Sequence, residues 1–156
     1  VLHMEAFRTL FAEPAALPPS CTELGDAIDP SAVLRAEEVF PEPIMEGDVP
    51  FDRRTVEAAE LVRACDWSEL TDSRELQVVI VPGGAEKWDE VSDRLGGTAA
   101  SVDGADATEV QEDNRVRLLV RGSVHLILVE GRFGDPERAV SPEDLRTVAQ
   151  KLLALS

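Results

Sequence analysis

The chain has 156 residues, of which 31 are Asp or Glu and 15 are Lys or Arg, so its formal net charge is −16. Nucleic-acid binding through a basic surface is not expected, because the phosphate backbone would be repelled. A chain of this length suits a single domain with a substantial core. That core is expected to consist mainly of Val, Leu, Ala and Ile, because tyrosine is absent and aromatic residues are only 4%. No 18-residue window is apolar throughout, so no transmembrane segment is expected.

The first third of the sequence is irregular and rich in proline. Residues 1–20 are predicted to be an N-terminal extension whose first residues read as part of a tag, so a lipid anchor or signal peptide upstream stays compatible with the sequence. Short helices are predicted over 22–28 and 30–39, the second with Asp29 as its N-cap. Residues 37–50 are expected to form an acidic loop.

The middle of the chain alternates between helical and extended patterns. A helix is predicted over 52–64, running directly into Cys65. A strand follows over 76–81, and its nearly continuous apolar run is typical of a strand covered on both faces. Pro82-Gly83-Gly84 ends this strand, and the next helix is predicted over 85–95.

The last third begins with a predicted loop over 101–107 and continues with hairpins and a helix. Strands are predicted over 108–112, 115–121 and 124–130. Ser141 and Pro142 indicate the start of a C-terminal helix that runs to about residue 155. Together these elements predict one α+β domain over 21–156. It has an antiparallel or mixed sheet of about five strands, with helices packed on one face and a C-terminal helix.

Cys21 and Cys65 are the two cysteines, and their surroundings favour a disulfide. Neither belongs to a Cys-x-x-Cys motif or has a nearby histidine, which disfavours zinc. Asp66 would raise the pKa of Cys65, which disfavours a reactive thiolate. Two separate buried thiols, or one reactive cysteine, stay open as alternatives. A bridge across this span would contribute about 4 kcal/mol by the loop-entropy estimate and would indicate an oxidising compartment.

The remaining motifs favour structural roles. Pro82-Gly83-Gly84 resembles the strand end of class I glutamine amidotransferase-like proteins, but both cysteines precede it, so no nucleophile follows. His125 lies in an apolar strand without the partners of a catalytic triad. Asp103, Asp106 and Glu109 offer oxygen ligands, although their spacing does not match an EF-hand loop. We therefore expect no catalytic, cofactor or metal residues.

Both tryptophans, Trp67 and Trp88, are interpreted as packing anchors rather than ligand platforms.

The order of these motifs resembles small extracytoplasmic domains of uncharacterised secreted proteins and lipoproteins of actinobacteria. The resemblance rests on Cys21-Thr22-Glu23-Leu24, on Cys65-Asp66-Trp67, on a strand leading to a Trp-containing helix over 76–88, and on the closing hairpin and helix over 116–155. It covers most of residues 20–156. It implies a secreted or envelope-anchored location and a non-enzymatic class.

Three classes of function are compatible with the sequence. The first is a non-catalytic extracytoplasmic domain that binds an unidentified protein or envelope ligand. The second is an acidic inhibitor or immunity-type protein in the cytoplasm that binds a basic protein, because opposite charge accelerates and specifies association. An enzyme whose site is not visible in the sequence is the third alternative.

Overall fold

The computed structural model describes residues 20–43, 63–69 and 73–155. This part of the chain contains four α-helices: α1 Cys21–Ile28, α2 Pro30–Leu34, α3 Trp88–Leu95 and α4 Pro142–Leu155. It also contains seven strands: β1 Phe40–Pro43, β2 Arg63–Ser68, β3 Glu75–Val81, β4 Thr98–Val102, β5 Ala105–Glu112, β6 Arg115–Arg121 and β7 Leu126–Arg132.

The strands form one antiparallel sheet in the order β1-β2-β3-β7-β6-β5-β4. The predicted α+β class and C-terminal helix are confirmed, while the sheet has seven described strands rather than about five. The central strands β3 and β7 are buried along most of their length, as the apolar run over 76–81 predicts.

One face of the sheet carries the larger core. Because neighbouring residues of a strand point to opposite faces, Leu76, Val78 and Ile80 of β3 lie on this side. They belong to an apolar cluster that includes Leu24 of α1 and Leu145 of α4. Thus α1, α2 and α4 cover this face, and the apolar stripe of α4 makes up much of their contact.

The opposite face is covered over only part of its area by α3. Val79 and Val81 of β3 pack there in a smaller cluster with Val91 of α3, and Trp88 and Leu95 contact the same cluster. The prediction that the helices pack on one face is therefore wrong for α3. The continuous apolar run of β3 reflects this burial on both sides.

The predicted helix over 30–39 is shorter in the structure. α2 ends at Leu34 because Arg35 takes a left-handed conformation with φ 52°, and residues 40–43 form β1 instead of the predicted loop. Residues 44–50 of that loop lie outside the described part, as do residues 52–62 of the next predicted helix. Ala64, the last residue of that predicted helix, lies in β2, and so does Cys65.

The predicted loop over 101–107 is a β-hairpin in the structure. β4 and β5 pair across Asp103 and Gly104, which have φ values of 49° and 82°. Two successive positive φ angles are characteristic of a type I′ turn, for which Asp-Gly is a favoured sequence. The residues of β4 are small and show little alternation of apolar and polar side chains, so the sequence pattern does not indicate a strand there.

Candidate functional site

Cys21 and Cys65 are joined in the structure, with an S–S distance of 2.05 Å and a Cα–Cα distance of 5.6 Å. The pairing agrees with the expected disulfide. Cys21 is the first residue of α1 and Cys65 lies in β2, where it is fully buried. The bond therefore ties the start of a helix on the larger core face to a strand near the edge of the sheet.

A pocket of about 310 Å³ is lined by residues of α1, by the start of α2, by Val39 and Pro41 and by Trp67 of β2; we call it the α1–β2 pocket. Trp67 of β2 contributes to its wall, two residues beyond Cys65 and on the same face of the strand. Its polar lining consists of Thr22, Asp26, Asp29 and Ser31. The pocket thus combines an indole, hydroxyl groups and two carboxylates beside a covalent link.

Gly25 allows α1 to approach this wall closely. A Cβ atom at this position would lie 2.8 Å from Nε1 of Trp67, closer than side chains tolerate. Glycine inside a helix costs about 1 kcal/mol relative to alanine, and here it permits the contact between helix and indole. Trp67 itself is only 2% exposed. It acts as the predicted packing anchor, and it also contributes to the pocket wall.

Asp29 occupies the predicted N-cap position of α2, with Pro30 at the first helical position, but its side chain makes no capping hydrogen bond. Its backbone is left-handed, with φ 53°, because the same residue ends α1 and donates its N–H to the carbonyl of Gly25. An unused Asp29 carboxylate therefore lies in the pocket lining, one turn along from Asp26.

His125 is buried and holds the strand-to-helix turn after β3. Its Nδ1 accepts a hydrogen bond from the N–H of Gly83 at 3.3 Å, and the carbonyl of Val124 accepts from the N–H of Ala85. Burial lowers the pKa of His125, so the neutral ring with its proton on Nε2 fits this arrangement. Pro82-Gly83-Gly84 thus forms the expected structural turn. The prediction that His125 lies in a strand is wrong, because β7 begins at Leu126 and His125 precedes it.

The carboxylates considered for calcium have other partners. Glu109 accepts a hydrogen bond from Arg146 at 2.8 Å, and Asp103 accepts one from Gln150 at 3.2 Å. Among the described residues, no group of three His, Cys, Asp or Glu side chains is placed to hold a metal ion.

A buried ion-pair cluster on the opposite sheet face was not predicted. The carboxylate of Glu130 in β7 is 2% exposed and accepts hydrogen bonds from Arg117 at 2.6 Å and from Arg132 at 2.8 Å. Arg115 lies 3.7 Å from it and also pairs with Glu112, a contact that lowers the pKa of Glu112. The available signal was the placement of charged residues at alternating positions in otherwise apolar strands.

Comparison with protein-family models, curated proteins and solved structures gave no match to this chain. No helix in the described ranges is both long and apolar enough to cross a membrane. The fold and its site therefore define a disulfide-linked α+β domain with a small acidic pocket, and no relative assigns an activity to it.

Proposed function

We propose that this protein is a non-catalytic extracytoplasmic binding domain whose ligand occupies the α1–β2 pocket. The observation that carries the proposal is this pocket, whose lining includes residues of both elements that the Cys21–Cys65 bond connects. A volume of about 310 Å³ is near the lower end of the roughly 300–1,000 Å³ typical of ligand pockets. It suits a small molecule or a single protruding group of a larger partner.

The extracytoplasmic location is supported by the disulfide, because structural disulfides persist mainly in oxidising compartments. The test is the oxidation state of Cys21 and Cys65 in protein recovered from its native host without reductant. Intact mass after alkylation, with and without prior reduction, reads this state directly. We expect no alkylation before reduction, and two alkylated thiols in freshly recovered protein would refute the location.

Binding in the pocket is testable by NMR because the chain has only two tryptophans. Trp67 lies at the pocket, while Trp88 packs on the opposite face of the sheet. In a screen of small amines, acids, sugars and peptides, a ligand of the pocket should shift the indole N–H signal of Trp67 and leave that of Trp88 in place. A screen in which no compound moves the Trp67 signal would count against a ligand site here.

The net charge of −16 supports a second candidate function, an acidic inhibitor that binds a basic protein. Association with a panel of purified basic proteins should then weaken steeply as ionic strength rises, because exposed charges are screened over about 10 Å at 0.1 M salt. Reduced cysteines in the native host together with such salt-sensitive association would favour this function over the first.

A further inference from the structure

The charged side chains in the lining of the α1–β2 pocket are all acidic. Asp26 and Asp29 lie three positions apart on and just after α1, so they project from neighbouring parts of one surface. Within the described part of the chain, neither carboxylate takes part in an ion pair. Lys151 reaches this end of α1, but its Nζ donates to the carbonyl of Ile28 at 3.4 Å rather than to a carboxylate.

Trp67 supplies an observation independent of these carboxylates. It is 98% buried, since its exposed fraction is 2%, yet it forms part of the pocket wall. Its indole N–H donates to no acceptor in the described residues, although a buried tryptophan usually finds a partner for this group. The pocket wall therefore contains an unused donor beside two carboxylates that have no ion-pair partner.

We infer that the α1–β2 pocket binds a small organic cation, an ammonium or guanidinium group that also carries an oxygen acceptor. The two carboxylates attract the charge, and the oxygen accepts the Trp67 N–H. The hydroxyl groups of Thr22 and Ser31 provide further acceptors along the lining. This inference rests on the proposed function, since it names the class of ligand for the same pocket.

The test uses choline and its neutral carbon isostere, 3,3-dimethyl-1-butanol, titrated into the full chain. The two compounds share shape and hydroxyl group and differ in charge. We expect choline to shift the Trp67 indole N–H signal, with Trp88 unchanged, and the isostere to bind at least about tenfold more weakly. Acetate serves as the anionic probe and should not shift the Trp67 signal.

Variants identify the contribution of each carboxylate. Asp26→Asn and Asp29→Asn should each weaken choline binding about fivefold, which is about 1 kcal/mol at 1.4 kcal/mol per tenfold change. Glu23→Gln is the matched control, because Glu23 is an exposed acid on the same helix that does not line the pocket. It should leave choline binding nearly unchanged. An equal loss of affinity in all three variants would show that the net charge of the protein, and not the pocket, governs choline binding.

The outcomes separate the inference from the function on which it rests. Equal binding of choline and its isostere, or binding of acetate alone, overturns the cation preference while leaving a ligand pocket in place. No shift of Trp67 with choline also overturns the inference. If the wider screen likewise leaves Trp67 unmoved, the proposed function fails with it.

Discussion

Removal of the disulfide should lower stability by an amount set mainly by chain entropy. The bond joins residues 44 positions apart, and closing a loop of that length in the unfolded chain corresponds to about 4 kcal/mol. For a chain of this size, each kcal/mol changes Tm by roughly 2–4 °C. The reduced protein should therefore unfold roughly 8–16 °C below the oxidised protein.

The assay is thermal and urea unfolding, followed by circular dichroism, of three forms: oxidised protein, protein held in reductant, and the double variant Cys21→Ala/Cys65→Ala. Reduction retains both sulfur atoms, so its effect isolates the constraint on the chain. The alanine variant also removes sulfur from a fully buried position at Cys65, which adds a packing loss. We expect the free energy of unfolding to decrease in the order oxidised, reduced, double variant.

A difference below about 1 kcal/mol between oxidised and reduced protein would refute this reasoning, because the loop-entropy contribution would then be absent or offset. The unfolding slope provides a check within the same data. It reports the surface exposed on unfolding, so a large change in slope on reduction would show that the denatured state, or the folded state of the reduced protein, has also changed.

Three further perturbations address other parts of the structure. Gly25→Ala should destabilise by about 1–3 kcal/mol despite the higher helix propensity of alanine, because its Cβ would lie 2.8 Å from Nε1 of Trp67. Glu130→Gln should cost about 1–3 kcal/mol, since it weakens two hydrogen bonds between a buried carboxylate and arginines that are themselves partly exposed; Glu112→Gln, at an exposed pair, should change stability little. Because burial lowers the pKa of His125, the unfolded state takes up its proton first, near pH 6.5. Stability should therefore be full above that pH and decrease below it, and His125→Gln should flatten the urea midpoint between pH 7 and 5.

Each of these expectations has an opposing result. A stabilised Gly25→Ala protein would mean that α1 moves freely relative to Trp67. Equal effects at Glu130 and Glu112 would show that burial of the carboxylate does not govern the cost. An unchanged pH profile in His125→Gln would assign the titration to other groups.

Local signals in the sequence predicted the elements that depend on local chemistry. The C-terminal helix begins at Pro142 because Ser141 and Asp144 cap one another: the Ser141 hydroxyl oxygen accepts from the Asp144 N–H, and the Asp144 carboxylate accepts from the Ser141 N–H, both at 3.2 Å. This is a reciprocal capping arrangement within four residues. The hairpin turn at Asp103 and Gly104 was equally local and was recognisable as a favoured dipeptide, although the weak pattern of its strands obscured it.

The pocket depends instead on segments that meet only in the folded chain. Asp29 reads as an N-cap in sequence, and its carboxylate becomes available only because the residue also ends α1 with a left-handed backbone. Trp67 reaches the pocket because β2 pairs with β3, a register that spacing alone does not specify. In the sequence, Gly25 indicates only a lower helix propensity, and its role becomes evident once the Trp67 indole is placed beside it. The position of the site was therefore not predictable from its residues taken singly.

The two cysteines are identifiable in the sequence, but only the folded structure shows which elements their disulfide joins. The described strands β3, β7 and β6 are paired with one another and packed against α4 without it. α1 contacts the same core through Leu24 and Ile28, and the covalent bond adds to these contacts at its first residue. Reduction should consequently loosen α1 before the central sheet, so the Trp67 indole signal should change on reduction while that of Trp88 persists. Equal changes at both tryptophans would instead indicate that the bond stabilises the whole domain and not the pocket in particular.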